Sequence, residues 1–410
     1  MENPRTSSRF FSYKGIVLIL LFSVTAINYL DRQTLSVIAP ILQNQISLST
    51  TDYSHVVFLF LFGYTIGQTL DGKVIDKVGT YLGMFYCVAV WSIVSVLHSL
   101  AIGVMSLGIL RFLLGIAEAG NWPGAVKAVS ENFPPERRAF AVGVFNSGST
   151  LGAIIAPPLV AGIVGHWGWR LMFVAIGLTG TVWILMWNKL YRKEPVQIGA
   201  FAASPKRPSP MRMLLRDKAV WALMVGRFLS DPIWWFYAFW LPEYLAQSRG
   251  FSLAHIGRTA WIPFVFAGAG GWLGGIASDV LVRRGSTPVV ARKIVMVIGA
   301  LLMLCGIPAS QVRSSTMALA LISIVLMGYT GWASNILSLV ADLFPSNEVA
   351  QVTGLNGTFA AIGGMLFTLA TGWLVENVSY GSVFIVSSGM IICAIGVILW
   401  FVPRTRTAFS

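Results

Sequence analysis

The sequence predicts an all-α membrane protein of twelve transmembrane helices in two pseudo-symmetric six-helix bundles. Three observations carry that expectation. Of 410 residues, 56% are hydrophobic and only 11% charged, where a soluble domain averages about 25% charged. Apolar runs of roughly 20 residues, long enough to cross a bilayer as a helix, recur along the whole chain. The second half also repeats features of the first. Mean hydropathy is +0.73, which leaves too little polar surface for a water-soluble globule. A β-barrel would show short alternating segments instead.

The first six spans fall roughly at 15–39, 54–75, 82–100, 103–128, 138–163 and 169–190. The last six fall roughly at 219–246, 256–278, 292–309, 315–341, 348–375 and 380–402. The first run follows a polar, basic segment, Met1 to Lys14, with no evident cleavage site, and is expected to be a retained span. "YRKEPVQIGAFAASPKRPSPMRMLLRDK" is the only long polar linker and separates the halves. The expected domains are therefore 1–190, a cytoplasmic linker 191–218, and 219–410. Cys87, Cys305 and Cys393 lie in apolar runs at spacings that fit no metal site or disulfide framework, and are expected to be small core residues.

Basic residues test the topology. With the N-terminus inside, the internal segments hold 22 of the 29 Lys and Arg. The external loops hold four (Arg170, Arg249, Arg258, Arg313), and the spans three (Arg32, Arg111, Arg227). That bias places both termini in the cytoplasm. It also makes the net charge of +13 an orientation device rather than a nucleic-acid footprint.

The halves share two motifs. "GKVIDKVG" after the second span and "GIASDVLVRRG" after the eighth each place a Gly four residues before an Asp, followed by a basic residue and another Gly. Aligning Phe133 with Phe344 also aligns Ala139 with Ala350, Gly143 with Gly354 and Gly152 with Gly363. Two such units in the same orientation imply a pseudo-two-fold axis along the membrane normal and a substrate site near the midplane.

Twelve spans, a central linker and the duplicated Gly-x-x-x-Asp loop resemble the major facilitator superfamily. Within it, "NYLDR", "RFLLGIAEAGNWPG" and "DPIWWFYAFWLPEYL" resemble the anion:cation symporter branch, especially bacterial hexuronate and aldonate transporters. The resemblance implies the major facilitator fold and proton carriers at Asp31 and Glu118. It further implies a substrate-carboxylate contact at Arg32, and sugar-acid contacts at Ser147, Ser149 and Asn356. Thr80 and Tyr81 depart from the pattern, standing where basic residues are usual.

The residues support related chemistry by themselves. A charge at the bilayer centre costs about 2.5–3.5 kcal/mol even on insertion scales, so Asp31 and Arg32 in the first span need compensation. They are rotated by about 100° from one another and face different neighbours. Tyr29, Arg32 and Ser36 share one face. Counting about 1.5 Å per residue, Asp31 lies about 22 Å from the inner end of its span, and Arg111 about 18 Å from the inner end of the fourth. Glu118 follows on the same face as Arg111. The four are expected to form a neutral buried network. Burial disfavours an ionised carboxyl and a nearby guanidinium favours it, so opening the site to one side can move a proton. Arg32, forked and always charged, suits a carboxylate. A purely structural ion-pair network is the alternative.

Other candidates are weaker. Tyr64 and Gln68 can bind hydroxyls or simply bond neighbouring helices. Trp234, Trp235 and Tyr237 can stack on a sugar ring or meet lipid. Asn335 and Asn356 can hold a polyol. Arg227 and Asp231 are expected to pair along the helix as a structural or gating element. Asp76, with Arg137 and Arg138, is expected to form an inner latch, and Asp279 is its counterpart. His55, His98, His166 and His255 all fall near outer ends or loops, so a histidine relay is not expected.

The expected function is proton-coupled import of an anionic sugar acid, such as a hexuronate or aldonate, across the bacterial cytoplasmic membrane by alternating access. The alternative cargo is another organic anion, an aromatic carboxylate or sialic acid, with sodium possible as the coupling ion. With no paired catalytic motif, nucleotide loop or metal-spaced His, enzyme chemistry is not expected. Nor is any cofactor or metal. The expected partners are the small anion, protons and the lipid bilayer, without nucleic acid, and the chain is expected to be a monomer.

Overall fold

The computed structural model describes residues 13–133, 135–191 and 211–403, apart from the side chains of Thr69, Asp76, Pro135, Glu136, Ala139, Ser346, Asn347 and Ala350. The linker expected at 191–218 lies largely outside the described residues. Among the described residues, fifteen α-helices run in the order α1 (Tyr13–Gln45), α2 (Thr50–Val78), α3 (Thr80–Leu97), α4 (Val104–Ala119), α5 (Asn121–Asn132), α6 (Pro135–Leu190), α7 (Met211–Leu214) and α8 (Lys218–Arg249). Then follow α9 (Leu253–Thr259), α10 (Ile262–Arg283), α11 (Pro288–Met303), α12 (Gly306–Gln311), α13 (Ser315–Leu343), α14 (Ser346–Asn377) and α15 (Tyr380–Phe401). No strand occurs among the described residues.

These helices make twelve crossings. Among the described residues, nine stretches are long and apolar enough to span a bilayer. One of them, Phe140–Leu190, is 51 residues long. It turns at Gly168, whose φ of 81° is a left-handed conformation that glycine adopts without strain. That stretch therefore holds two crossings. α2 and α8 are as long but more polar, and complete the set. Short side chains close the helix starts: Asp217 accepts from the Ala219 N–H at 2.8 Å, and Thr287, ahead of Pro288, accepts from Val290. At the other end of α8, Gly250 (φ 66°) closes the helix.

The chain divides into two compact units, one drawn from Met1–Ser47 and Leu59–Phe201, the other from Leu48–Phe58 and Ala202–Ser410. In the first, α1 packs along α6. A Cβ on Gly152 would lie 2.4 Å from the Ala26 carbonyl oxygen, so only glycine allows the two backbones to meet. In the second, α8 packs along α14, and a Cβ on Gly363 would lie 2.2 Å from the Phe228 carbonyl oxygen. The repeat thus uses aligned glycines for the same close approach in each unit. The second unit also holds the first turns of α2: Tyr53 donates to the Phe239 carbonyl at 2.6 Å and sets its ring edge-on to Trp240.

One expectation about the core is corrected. Cys87 is buried, but Cys305 is half-buried and Cys393 exposed, because Cys393 sits on the outer face of α15.

Candidate functional site: a buried charge cluster in the first unit

α1 carries Asn28, Asp31 and Arg32 in mid-helix, all buried. Asn28 and Arg32 are one turn apart, and Arg32 Nη2 donates to Asn28 Oδ1 at 3.2 Å. The same nitrogen donates to Glu118 Oε2 of α4 at 3.2 Å. Side-chain exposures of 2% and 0% make this a dry ion pair. Asn28 Nδ2 donates in turn to the Glu118 carbonyl at 3.4 Å, tying α1 to α4. Three aromatic rings close over the guanidinium. Its Cζ lies 4.8 Å from the Tyr29 centroid, 4.7 Å from Tyr64 and 5.2 Å from Phe60. Ring faces attract a cation, more so when water is excluded.

Asp31 points elsewhere. Its Oδ2 accepts from Ser95 Oγ of α3, and Oδ1 has no partner among the described residues. Arg111, buried on α4, acts electrostatically on both Asp31 and Glu118. Its Cζ lies 5.6 Å from the Phe173 centroid. Two helices, α1 and α4, therefore bring two acids and two bases into one dry, formally neutral cluster, and α3 adds Ser95. Deleting one partner of a buried pair costs about 3–5 kcal/mol. Among the described residues no cluster of His, Cys, Asp or Glu is placed to hold a metal.

The remaining candidates divide by what already occupies them. Tyr29 and Tyr64 belong to the Arg32 cage, while Gln68, one turn on from Tyr64, is exposed. Ser147 and Ser149 donate to the Val144 and Asn146 carbonyls of their own helix, each at 2.6 Å. In the second unit Arg227 and Asp231 pair at 2.8 Å. Trp234 stacks on Tyr329 and Trp235 on Phe239. Asn356 is buried with neither amide atom partnered among the described residues, so its hydrogen-bonding capacity is available.

Several expectations need correction. Tyr237 is 1% exposed and packed edge-on to Phe236 and Phe384, so its ring is core rather than a stacking surface. Asn335 Nδ2 donates to the Gly274 and Gly331 carbonyls at 3.1 and 2.8 Å, which makes it a joint between α10 and α13. Arg138 donates to the Ser130 and Phe133 carbonyls, while Arg137 is exposed. The Asp76 side chain of the expected latch lies outside the described residues. Its counterpart Asp279 accepts from Arg292 Nη1 at 3.0 Å, and Arg292 Nε reaches Asp342 at 3.3 Å. His98, although at the end of α3, is completely buried.

Sequence reasoning missed Asn28, Phe60, Ser95 and Phe173. The four-residue spacing of Asn28 and Arg32 was a usable signal. Ser95 is 64 residues from Asp31 and carried none.

The sequence matches the profile of the Major Facilitator Superfamily over residues 21–333 and 289–409. The chain belongs to the Major Facilitator Superfamily. It is accordingly a multi-pass membrane transporter with the twelve-helix fold of that superfamily, and not an enzyme. Among superfamily members, it is 30% identical over 402 residues to the hexuronate transporter of Escherichia coli (strain K12), covering 94% of this chain and 93% of that protein. It is 33% identical over 314 residues to the galacturonate transporter of Dickeya chrysanthemi, covering 72% and 91%. The crystal structure of the D-xylose-proton symporter superposes with a TM-score of 0.78 at 16% identity, covering 96% of this chain and 99% of that one, a likeness of fold.

Proposed function

We propose that the chain is a proton-coupled symporter that imports an anionic sugar acid, a hexuronate or aldonate, across the bacterial cytoplasmic membrane by alternating access, as a monomer with both termini inside. The observation that carries this reading is the dry Arg32–Glu118 pair, with Asp31 beside it. The names of the hexuronate and galacturonate transporters give it a cargo class.

Arg32 offers a forked, permanent charge inside hydrocarbon, suited to a carboxylate. Glu118 holds that charge in the absence of cargo. A proton on Glu118 removes the counter-ion and leaves the guanidinium to the substrate carboxylate. Asp31, in the field of Arg111 and held by Ser95, is the second carboxyl that a proton can neutralise. Proton and anion then travel together, because a bare anion would have to displace a carboxylate from its arginine, and a proton without an anion would leave a cation unpaired. Tyr64, in the aromatic cage around Arg32, supplies a hydroxyl-binding group. The experiment is uptake of labelled glucuronate, galacturonate and galactonate into proteoliposomes. Accumulation driven by an inward proton gradient supports the reading. Accumulation driven by a sodium gradient alone, or of none of these acids, overturns it.

A further inference from the structure

The charge cluster leaves one buried polar group without a role. His98 lies in the short turn His98–Leu100 that ends α3, and it is 0% exposed. Its Nδ1 is 2.7 Å from the Val94 carbonyl oxygen, which assigns the proton to Nδ1 and leaves Nε2 a bare acceptor. Nε2 has no partner among the described residues. Buried polar atoms are rarely left unsatisfied, and each one needs a reason. The imidazole lies on Phe173 with centroids 4.9 Å apart, and the same ring carries Arg111. Arg111 acts electrostatically on His98 as it does on Asp31. One turn back along α3, Ser95 holds Asp31. Arg111 from α4 is the charge that acts on the imidazole, while Asp31 from α1 is held one turn back by Ser95 and Arg170 from α6 donates to the Ala101 carbonyl, three residues on, at 3.3 Å. α3 itself contributes no ionised residue.

We propose that His98 Nε2 is an acceptor for Arg111, receiving a hydrogen bond from its guanidinium when Asp31 is protonated. The inference rests on the reading of Asp31 as a proton carrier. Neutralising Asp31 takes a counter-ion from a cation that cannot lose its own charge. A neutral imidazole beside the Phe173 ring that Arg111 also meets offers a lone pair at that moment, and none is needed while Asp31 is ionised. His98 is then a positioning residue that steadies the protonated state. It does not carry the proton, because a second cation beside Arg111 would be repelled.

Two measurements test this. The first compares the pH profile of glucuronate uptake for wild type, His98→Phe and His98→Gln in proteoliposomes. Phenylalanine keeps a ring without an acceptor, and glutamine keeps an acceptor that does not titrate. In His98→Phe the half-maximal pH is expected to fall by about one to two units, the range that one hydrogen bond to a charged group supplies. His98→Gln is expected to follow the wild type. An unmoved profile in His98→Phe overturns the proposal. So does a His98→Gln variant as impaired as His98→Phe, which would make the imidazole a proton carrier.

The second measurement needs no substrate. Nitrogen-15 NMR of histidine-labelled protein, assigned by the signal lost in His98→Gln, compares wild type with Asp31→Asn, which mimics the protonated carboxyl. The Nε2 resonance is expected to move to a hydrogen-bonded value in Asp31→Asn. An unmoved resonance overturns the proposal whatever the uptake assay gives. A moved resonance in a protein that takes up no sugar acid would count against the cargo assignment and leave this contact standing.

Discussion

Arg32 and Glu118, 86 residues apart in sequence, meet at 3.2 Å inside the first unit with almost no exposure to solvent. Glu118 is paired with Arg32, Asp31 lies in the field of Arg111, and the arginines cannot release their charge. The only variable charges are therefore on the acids. That asymmetry makes the pair chemically directional. Protonation of Glu118 exposes a cation, and an incoming carboxylate restores neutrality.

Glu118→Gln keeps the shape of the side chain and fixes it in the neutral form. Exchange of labelled for unlabelled glucuronate is expected to persist, since Arg32 stays open to a carboxylate. Accumulation driven by a proton gradient is expected to fall to the level of equilibration. Counterflow and proton-driven uptake on the same proteoliposomes read the two separately. Loss of both, with folding retained, would mean that Glu118 orients Arg32 rather than coupling protons.

Arg32→Lys retains the charge and removes the fork and the flat face against Tyr29, Phe60 and Tyr64. Lysine cannot make the second bond of the fork to a carboxylate; a hydrogen bond to a charged group is worth about 1.5–3 kcal/mol, and 1.4 kcal/mol is a factor of ten in affinity. Glucuronate affinity is therefore expected to drop at least about tenfold, read as a smaller ligand-induced thermal shift at fixed concentration. Equal shifts in variant and wild type would show that the ligand does not use the guanidinium.

Much of this was legible in the residues. Run lengths delivered the crossings, and the depth count brought Asp31 and Arg111 to about one level, with Glu118 nearer the inner end on the same face as Arg111. What stayed hidden was how each polar atom is satisfied. Asn335 reads as a binding group, yet its amide nitrogen is taken by the Gly274 and Gly331 carbonyls, because two glycines let those backbones come within reach. Tyr237 reads as an aromatic platform, yet α8 turns it into the core. His98 sits at a helix end, where burial depends on how α6 covers the turn, which no local pattern encodes. Packing across helices decides these cases, and span boundaries do not.

Gly152 and Gly363 test the repeat energetically. A Cβ at either would press on a carbonyl oxygen of the facing helix, at 2.4 and 2.2 Å, and backbone cannot move aside cheaply. Their repeat neighbours Gly143 and Gly354 have nothing within 4 Å. Gly152→Ala and Gly363→Ala are expected to lower stability by about 1–3 kcal/mol, the usual cost of overpacking. Gly143→Ala and Gly354→Ala should be neutral or slightly stabilising, since alanine is the better helix former. Thermal unfolding of the four purified variants in detergent checks this. Four equal melting temperatures would remove the glycines as the reason for the close approach.

Arg292 carries the last prediction. Its guanidinium spans Asp279 at 3.0 Å and Asp342 at 3.3 Å and also donates to Ser278, joining α10, α11 and α13 of the second unit at one end. The Asp279 side chain is 60% exposed, so its share is small, within the roughly 0–1 kcal/mol of a surface pair. Asp342 is 23% exposed and Ser278 fully buried, so they carry more. Asp279→Asn is therefore expected to leave the melting temperature nearly unchanged. Arg292→Ala is expected to destabilise by about 1–2 kcal/mol, since it removes charge-assisted bonds to both partners and strands Asp342. Arg292→Lys can keep one ion pair but not the three-way reach, and should fall between. If Asp279→Asn is as damaging as Arg292→Ala, the exposed carboxylate is the member that holds the joint together.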